Sequence, residues 1–166
     1  MAHASIGARG GRSELVIVRS TGASATKLYL ASDALPADVH DVRVCLVARN
    51  QGFCDDPNQG SWSWFEVSLI RPRWASTSEQ DIDPSLYTAQ LEHPQTFAGD
   101  LAQKGWDLVA LGQGHLDNST RLLILPISET WQKHEITFRD HDNLHSILSH
   151  ASECDRVLIW ARSQVR

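Results

Sequence analysis

The sequence predicts an all-β sandwich of the jelly-roll or related Greek-key kind. Three observations carry that expectation. Short runs of alternating or β-branched apolar residues recur along the 166-residue chain, separated by turn-rich connections. The amphipathic helices of roughly 10–15 residues that a parallel βαβ sheet would need between its strands are missing from the pattern. A faint internal repeat also aligns two of the runs, residues 42–51 and 155–164.

Residues 14–19 read as a short strand, and residues 26–30, which alternate, as another. Residues 34–40 form a turn segment around Pro36. The β-branched run 42–48 is the next strand, and 62–70 follows it. Pro72 closes that strand because it has no N–H to give to a ladder. Residues 75–104 are the least regular part and are expected as a loop-rich insertion. Residues 107–112 and 121–126 read as strands joined by a turn. The run 131–139 has a strand-like end, with Ile136 and Phe138 on one face. Residues 143–150 fit one or two helical turns, because Leu144, Ile147 and Leu148 lie at helical spacing. Residues 156–161 are the last strand.

In the repeat, Arg43, Val44, Ala48, Arg49 and Gln51 fall on Arg156, Val157, Ala161, Arg162 and Gln164. Each copy follows an alternating strand, ending at Leu30 or Phe138. Two similar half-units facing one another would give a sandwich of pseudo-twofold character. The second copy stops where the first opens its aromatic loop, and a natural chain running past Arg166 is one expectation from that.

Composition bounds the partners. Fifteen basic against twenty acidic residues give a net charge of −5, and no lysine or arginine run stands out. Nucleic acid and anionic membrane are therefore not expected as partners, since both select a positive footprint. No apolar run reaches membrane-spanning length. Cys45, Cys54 and Cys154 are too few and too scattered for a disulfide scaffold, which points to a reducing, cytoplasmic compartment. The first twelve residues are small, Gly-rich and basic and read as a flexible tail, and residues 13–166 as a single domain.

Catalytic signals are weak. The chain has no Gly-x-Ser-x-Gly elbow, no Gly-x-Gly-x-x-Gly and no Walker loop, and no cofactor is expected. Cys54 precedes Asp55 and Asp56, whose charge opposes thiolate formation. His134, His141, His145 and His150 lie close in sequence, but without a His-Glu-x-x-His pattern they read as solvent-facing rather than metal-binding. Asp55, Asp56 and Glu66 raise the question of a carboxylate pair, yet Glu66 has no evident partner on a second strand. The run from Asp55 to Asn58 reads as a turn, with calcium as a lesser alternative.

The most informative stretch is Gly60-Ser-Trp-Ser-Trp-Phe-Glu66, beside a loop of amides and carboxylates. Trp62 and Trp64 share a strand face and Phe65 points the other way. One of the two tryptophans is expected in the core. The other would stack on a sugar face or a peptide side chain, with Gln51, Asp55, Asp56 and Asn58 supplying directional polar contacts. Trp131 and Trp160 supplement either core or edge, and Arg49 and Arg162 read as loop anchors.

Arg43-Val-Cys-Leu-Val-Ala-Arg-Asn-Gln-Gly-Phe53, followed by Gly60-Ser-Trp-Ser-Trp-Phe-Glu66, resembles a domain family of uncharacterised fungal proteins. Trp131-Gln-Lys-His-Glu-Ile-Thr-Phe138 and Asp155-Arg-Val-Leu-Ile-Trp-Ala-Arg-Ser-Gln164 resemble that family's second half. More distantly, the arrangement is similar to F-box-associated domains, which implies a galactose-binding-like β-sandwich. Some of those recognise high-mannose glycans, and Gln51 with Trp62 or Trp64 occupies a similar place. Gly52 stands where those domains carry an aspartate, and residues 1–40 hold no F-box helices.

The expectation is a noncatalytic module binding carbohydrate or glycoprotein through Gln51, Asp55, Asp56, Asn58, Trp62 and Trp64. A protein-interaction or self-association module is the first alternative, and a sandwich hydrolase or metal enzyme the second.

Overall fold

A strand with apolar side chains on both faces must lie inside a sheet that is covered on both sides. The runs Val67–Ile70 and Val157–Trp160 meet that condition, and they lie side by side at the middle of the larger sheet. A computed structural model of the chain describes residues 16–18, 24–37, 39, 41–49, 63–74, 81–89, 97–109, 120–124, 130–139 and 148–164. Within them lie β1 (Ser24–Ala31), β2 (Asp41–Ala48), β3 (Ser63–Pro72), β4 (Trp106–Leu108), β5 (Thr120–Ile124), β6 (Gln132–Arg139) and β7 (Arg156–Gln164). Two short helices, α1 (Ser85–Thr88) and α2 (Phe97–Gln103), fall between β3 and β4.

All pairings among the described strands are antiparallel. In the larger sheet β7 lies between β1 and β3, and both β4 and β5 pair with β3. β2 and β6 form a separate ribbon. The order is nested: β1 pairs with β7, β2 with β6, and β3 with β5. The fold is thus mostly β, with two antiparallel sheets packed as a general β-sandwich.

One core fills the space between the sheets. Val44, Leu46 and Ala48, alternating along β2, face Phe65, Val67 and Leu69 of β3 and Val157 and Ile159 of β7. Tyr29 meets Phe65 edge-on, with ring centroids 5.5 Å apart. The second core lies on the opposite face of the larger sheet. There Leu28, Ile70, Leu158 and Trp160 pack against Ile82, Leu86, Phe97, Leu101 and Trp106. Phe97 and Leu101 are one turn apart on α2, and Phe97 stands edge-on to Trp160 at 5.3 Å and 88°.

Polar contacts fix the ends. Asp83 accepts from the Ser85 backbone N–H at 2.8 Å and from the Lys104 ammonium, tying the start of α1 to the end of α2. The Lys104 hydrogen bond, followed by those from Ser85, holds the Asp83 carboxyl well below the usual carboxylate range. Arg71 at the end of β3 grips Asp155 through Nε at 2.9 Å and Nη2 at 2.8 Å. It also donates to the His150 carbonyl and to Ser152 Oγ, clasping the turn that feeds β7. Cys154 in that turn has φ 70°, in the left-handed region, and its N–H reaches the Leu35 carbonyl at 2.9 Å.

The structure departs from the sequence reading at the N-terminal run and at the repeat, among other places. Residues 16–18, inside the strand expected over 14–19, carry no regular structure, and Ile17 is exposed. A β-branched run prefers extended backbone but becomes a strand only where a sheet edge accepts it. The two repeat copies also occupy unlike surroundings. β2 is buried on one face, with its odd-numbered positions exposed or partly exposed, whereas β7 is buried on both faces between Arg156 and Trp160. Their pairing is nevertheless reciprocal, since the strand before each copy pairs with the other copy. The expected tail, residues 1–12, lies outside the described residues. Of the helix expected over 143–150, only residues 148–150 are described.

Phe97→Ala is expected to cost about 3–5 kcal/mol in a denaturant melt, because it empties a fully buried aromatic site. Trp74→Ala, at an exposed position, should change stability by less than about 0.5 kcal/mol. Asp83 has a depressed folded-state pKa, so its contribution is present above the unfolded value and is lost as pH falls. Asp83→Asn should therefore flatten the pH dependence of stability below about pH 4, measured by thermal melts across that range.

Candidate functional site

The segment between β2 and β3 carries five of the six candidates drawn from the sequence. Gln51, Asp55, Asp56, Asn58 and Trp62 all lie outside the described residues. Both flanks of that segment are described, with Arg49 on the β2 side and Ser63 and Trp64 on the β3 side. The two flanks differ in chemistry.

On the β3 side, alternation puts Trp64, Glu66, Ser68 and Ile70 on the face away from the β2–β6 ribbon. The antiparallel register sets Trp64 opposite Arg162 and Glu66 opposite Trp160. Arg162 Nη1 donates to both Glu66 oxygens, at 2.8 and 2.9 Å, and its guanidinium carbon lies 5.1 Å from the Trp64 ring centroid. The Trp64 indole N–H donates to Glu66 Oε1 at 2.6 Å. Side-chain exposure is 6% for Arg162 and 4% for Glu66, and Trp64 is 6% exposed. The Glu66 carboxylate therefore meets a cation and an indole. This is the chemistry of an anchor, and Trp64 is its lid rather than a ligand platform in this state. Trp160 behaves alike next door, with its N–H on Ser68 Oγ at 2.7 Å.

On the β2 side, Val44, Leu46 and Ala48 point into the core, so Cys45, Val47 and Arg49 face outward. Val47 pairs with Lys133 and Ala48 with Gln132, which sets Trp131 beside Arg49. The Arg49 guanidinium carbon sits 5.0 Å from the Trp131 ring centroid. Trp131 is 52% exposed and Val47 58%. Further along the same face Arg43 bonds Glu135 at 2.5 Å, and the Arg43 hydrogen bond holds the Glu135 carboxyl below its usual range.

Arg49 and Arg162 are equivalent in the sequence repeat, and each lies over a tryptophan. One contact is buried together with a carboxylate, and the other faces solvent. From the sequence both arginines read as loop anchors and Trp131 as a supplement to core or edge. The signal that separates them is the parity of position 49, which follows the buried even-numbered residues of β2.

The described members of the remaining candidates lie apart. His134 lies on β6 opposite Leu46, and His150 lies in the turn clasped by Arg71. His141 and His145 are outside the described residues. Among the described residues, no group of three or more His, Cys, Asp or Glu side chains could hold a metal ion. Cys45 is an exposed free thiol and Cys154 a partly buried one, while Cys54 is not described. No helix among the described residues is long and apolar enough to cross a membrane.

Arg162→Met should destabilise the fold by about 3–5 kcal/mol, because it strands the buried Glu66 carboxylate. The double variant Glu66→Leu/Arg162→Met should recover much of that loss, read as a positive coupling in a denaturant double-mutant cycle. Comparison of the chain with protein-family models, with curated proteins and with solved structures finds no match in any of the three.

Proposed function

We propose that the chain is a noncatalytic binding module that recognises carbohydrate or glycoprotein beside the β2–β3 connection. The observation that carries this reading is Trp131, a tryptophan left half open on an outward strand face, with Arg49 held against its ring. An exposed indole flanked by directional donors is the usual composition of a sugar-binding surface. Trp131 and Arg49 are its described part. Gln51, Asp55, Asp56, Asn58 and Trp62 follow within the next thirteen residues after Arg49 and would complete it. The nested strand order supports a jelly-roll, galactose-binding-like winding, in which first and last strands pair and the chain is rolled up as one long hairpin.

The second reading is a protein-interaction or self-association module. Val47 and Trp131, both exposed on one ribbon face, favour it.

A glycan array run with the folded protein, with and without calcium, separates the two readings. Specific binding is expected, and Trp131→Ala or Trp62→Ala should weaken it by about tenfold, the factor that ~1.4 kcal/mol produces, with the thermal melt of Trp131→Ala unchanged. Silence across the array in both buffers would remove the carbohydrate reading and favour the interaction module.

A further inference from the structure

Each ladder among the described strands joins one half of the chain to the other. β1, β2 and β3 lie within residues 24–72, and β4, β5, β6 and β7 within residues 106–164. β1 pairs with β7, β2 with β6, and β3 with β4, β5 and β7, so no described strand pairs inside its own half. The last two strands carry this furthest. Among the described strands β6 meets β2 alone and β7 lies between β1 and β3, and neither has a ladder to the other or to β4 and β5 before them. Their side chains follow the ladders. Val157 and Ile159 of β7 share a core with Val44 and Leu46 of β2 and Val67 of β3, and Leu158 and Trp160 share one with Leu28 of β1 and Ile70 of β3. Arg162 of β7 is held by Glu66 of β3, and Asp155 before β7 by Arg71. The pairing is also reciprocal across the repeat, since the strand before each copy lies on the other copy. Self-complementary pairing of this kind is the pattern of a twofold interface between subunits, here written within one chain.

We propose that two copies of the chain exchange the β6–β7 unit when they fold together, the last two strands of each completing the sheets of the other. The partner is a second copy because the surface that β6 and β7 fit is the β1–β2–β3 half of this same sequence. Exchange keeps the ladders of the single copy and forms them between chains instead of within one. The chain passes from one copy to the other between β5 and β6. Concentration decides the competition. A tethered unit meets its own first half at an effective concentration of about 1 mM, so exchange gains ground as the folding concentration approaches that value. The inference concerns ladders inside the fold rather than the exposed Val47 and Trp131, and it is independent of both readings above.

The full chain tests this through a thiol it already has. Cys45 is exposed, and Glu135 is its partner across the β2–β6 ladder. Glu135→Cys sets a second thiol within disulfide reach, since residues opposite one another in an antiparallel pair have Cα atoms about 4.5–5.5 Å apart. Equal amounts of isotopically labelled and unlabelled Glu135→Cys chain are mixed unfolded and refolded at about 10 µM and at about 1 mM, below and at the tethered concentration. The products are then oxidised, separated by size and mapped as peptides. At the lower concentration a monomer is expected, with Cys45 bonded to the introduced thiol of its own chain. At the higher a dimer is expected, in which bonds join labelled to unlabelled chains. A monomer at both concentrations overturns the inference. A dimer whose bonds all stay within one chain overturns it too, because its copies then touch only through outer faces. Val47→Asp in the otherwise unaltered chain gives the same decision without a disulfide. An exchanged dimer keeps its yield in that variant, whereas a dimer lost with Val47 is held by the ribbon's outward face and overturns the inference.

Discussion

The pairing of β3 with β7 is the constraint on which the rest of the structure depends. Both strands are buried on both faces through their central residues, so every other element is a cover or an extension of that pair. β1 extends it beyond β7, and β4 and β5 extend it beyond β3. The β2–β6 ribbon covers one face, and the two short helices cover the other. A strand pair without a wet face has nowhere to leave a polar group unpaired. Glu66 accordingly bonds Arg162 and the Trp64 indole, and Ser68 bonds the Trp160 indole.

The repeat shows how one interaction is put to two uses. A guanidinium over an indole occurs at Arg162 with Trp64 and at Arg49 with Trp131, at nearly equal separations. In the first, a carboxylate and the surrounding core absorb the charge, and the contact becomes part of the architecture. In the second, the ring faces solvent, and the contact becomes an organised surface. The difference is not in the residues that touch. It comes from β7 lying inside a five-stranded sheet while β2 lies in a two-stranded ribbon.

Strand positions were legible because alternation and β-branching survive in single-sequence form. The runs at 26–30, 42–48 and 156–161 lie wholly within β1, β2 and β7. The run expected over 62–70 overlaps most of β3. The run 14–19 looked equally good, and residues 16–18 show why propensity alone is insufficient: a strand needs a free ladder to join. Ile82 with Leu86 and Phe97 with Leu101 are spaced one helical turn apart, but the helices are too short for a periodic signal to stand out from the polar residues around them. The ion pair of Glu66 with Arg162 spans 96 positions, and only the register of β3 on β7 brings it together. No local cue in the sequence names the cation that meets Glu66. The exposure of Trp131 was equally out of reach, since a tryptophan at a strand end looks the same whether it turns inward or outward.

The nested order also sets a timetable. Because β7 occupies the middle of the larger sheet, synthesis of every other described strand is finished before the central pair can close. Until then β1 and β3 each present an unpaired, strongly apolar edge, the kind of surface that recruits neighbouring chains. Long-range closure of this sort makes for slow folding. A nascent chain of this design has a window of vulnerability that stays open until β7 is available to pair. Its yield in a cell should depend on holding chaperones more than its finished stability would indicate.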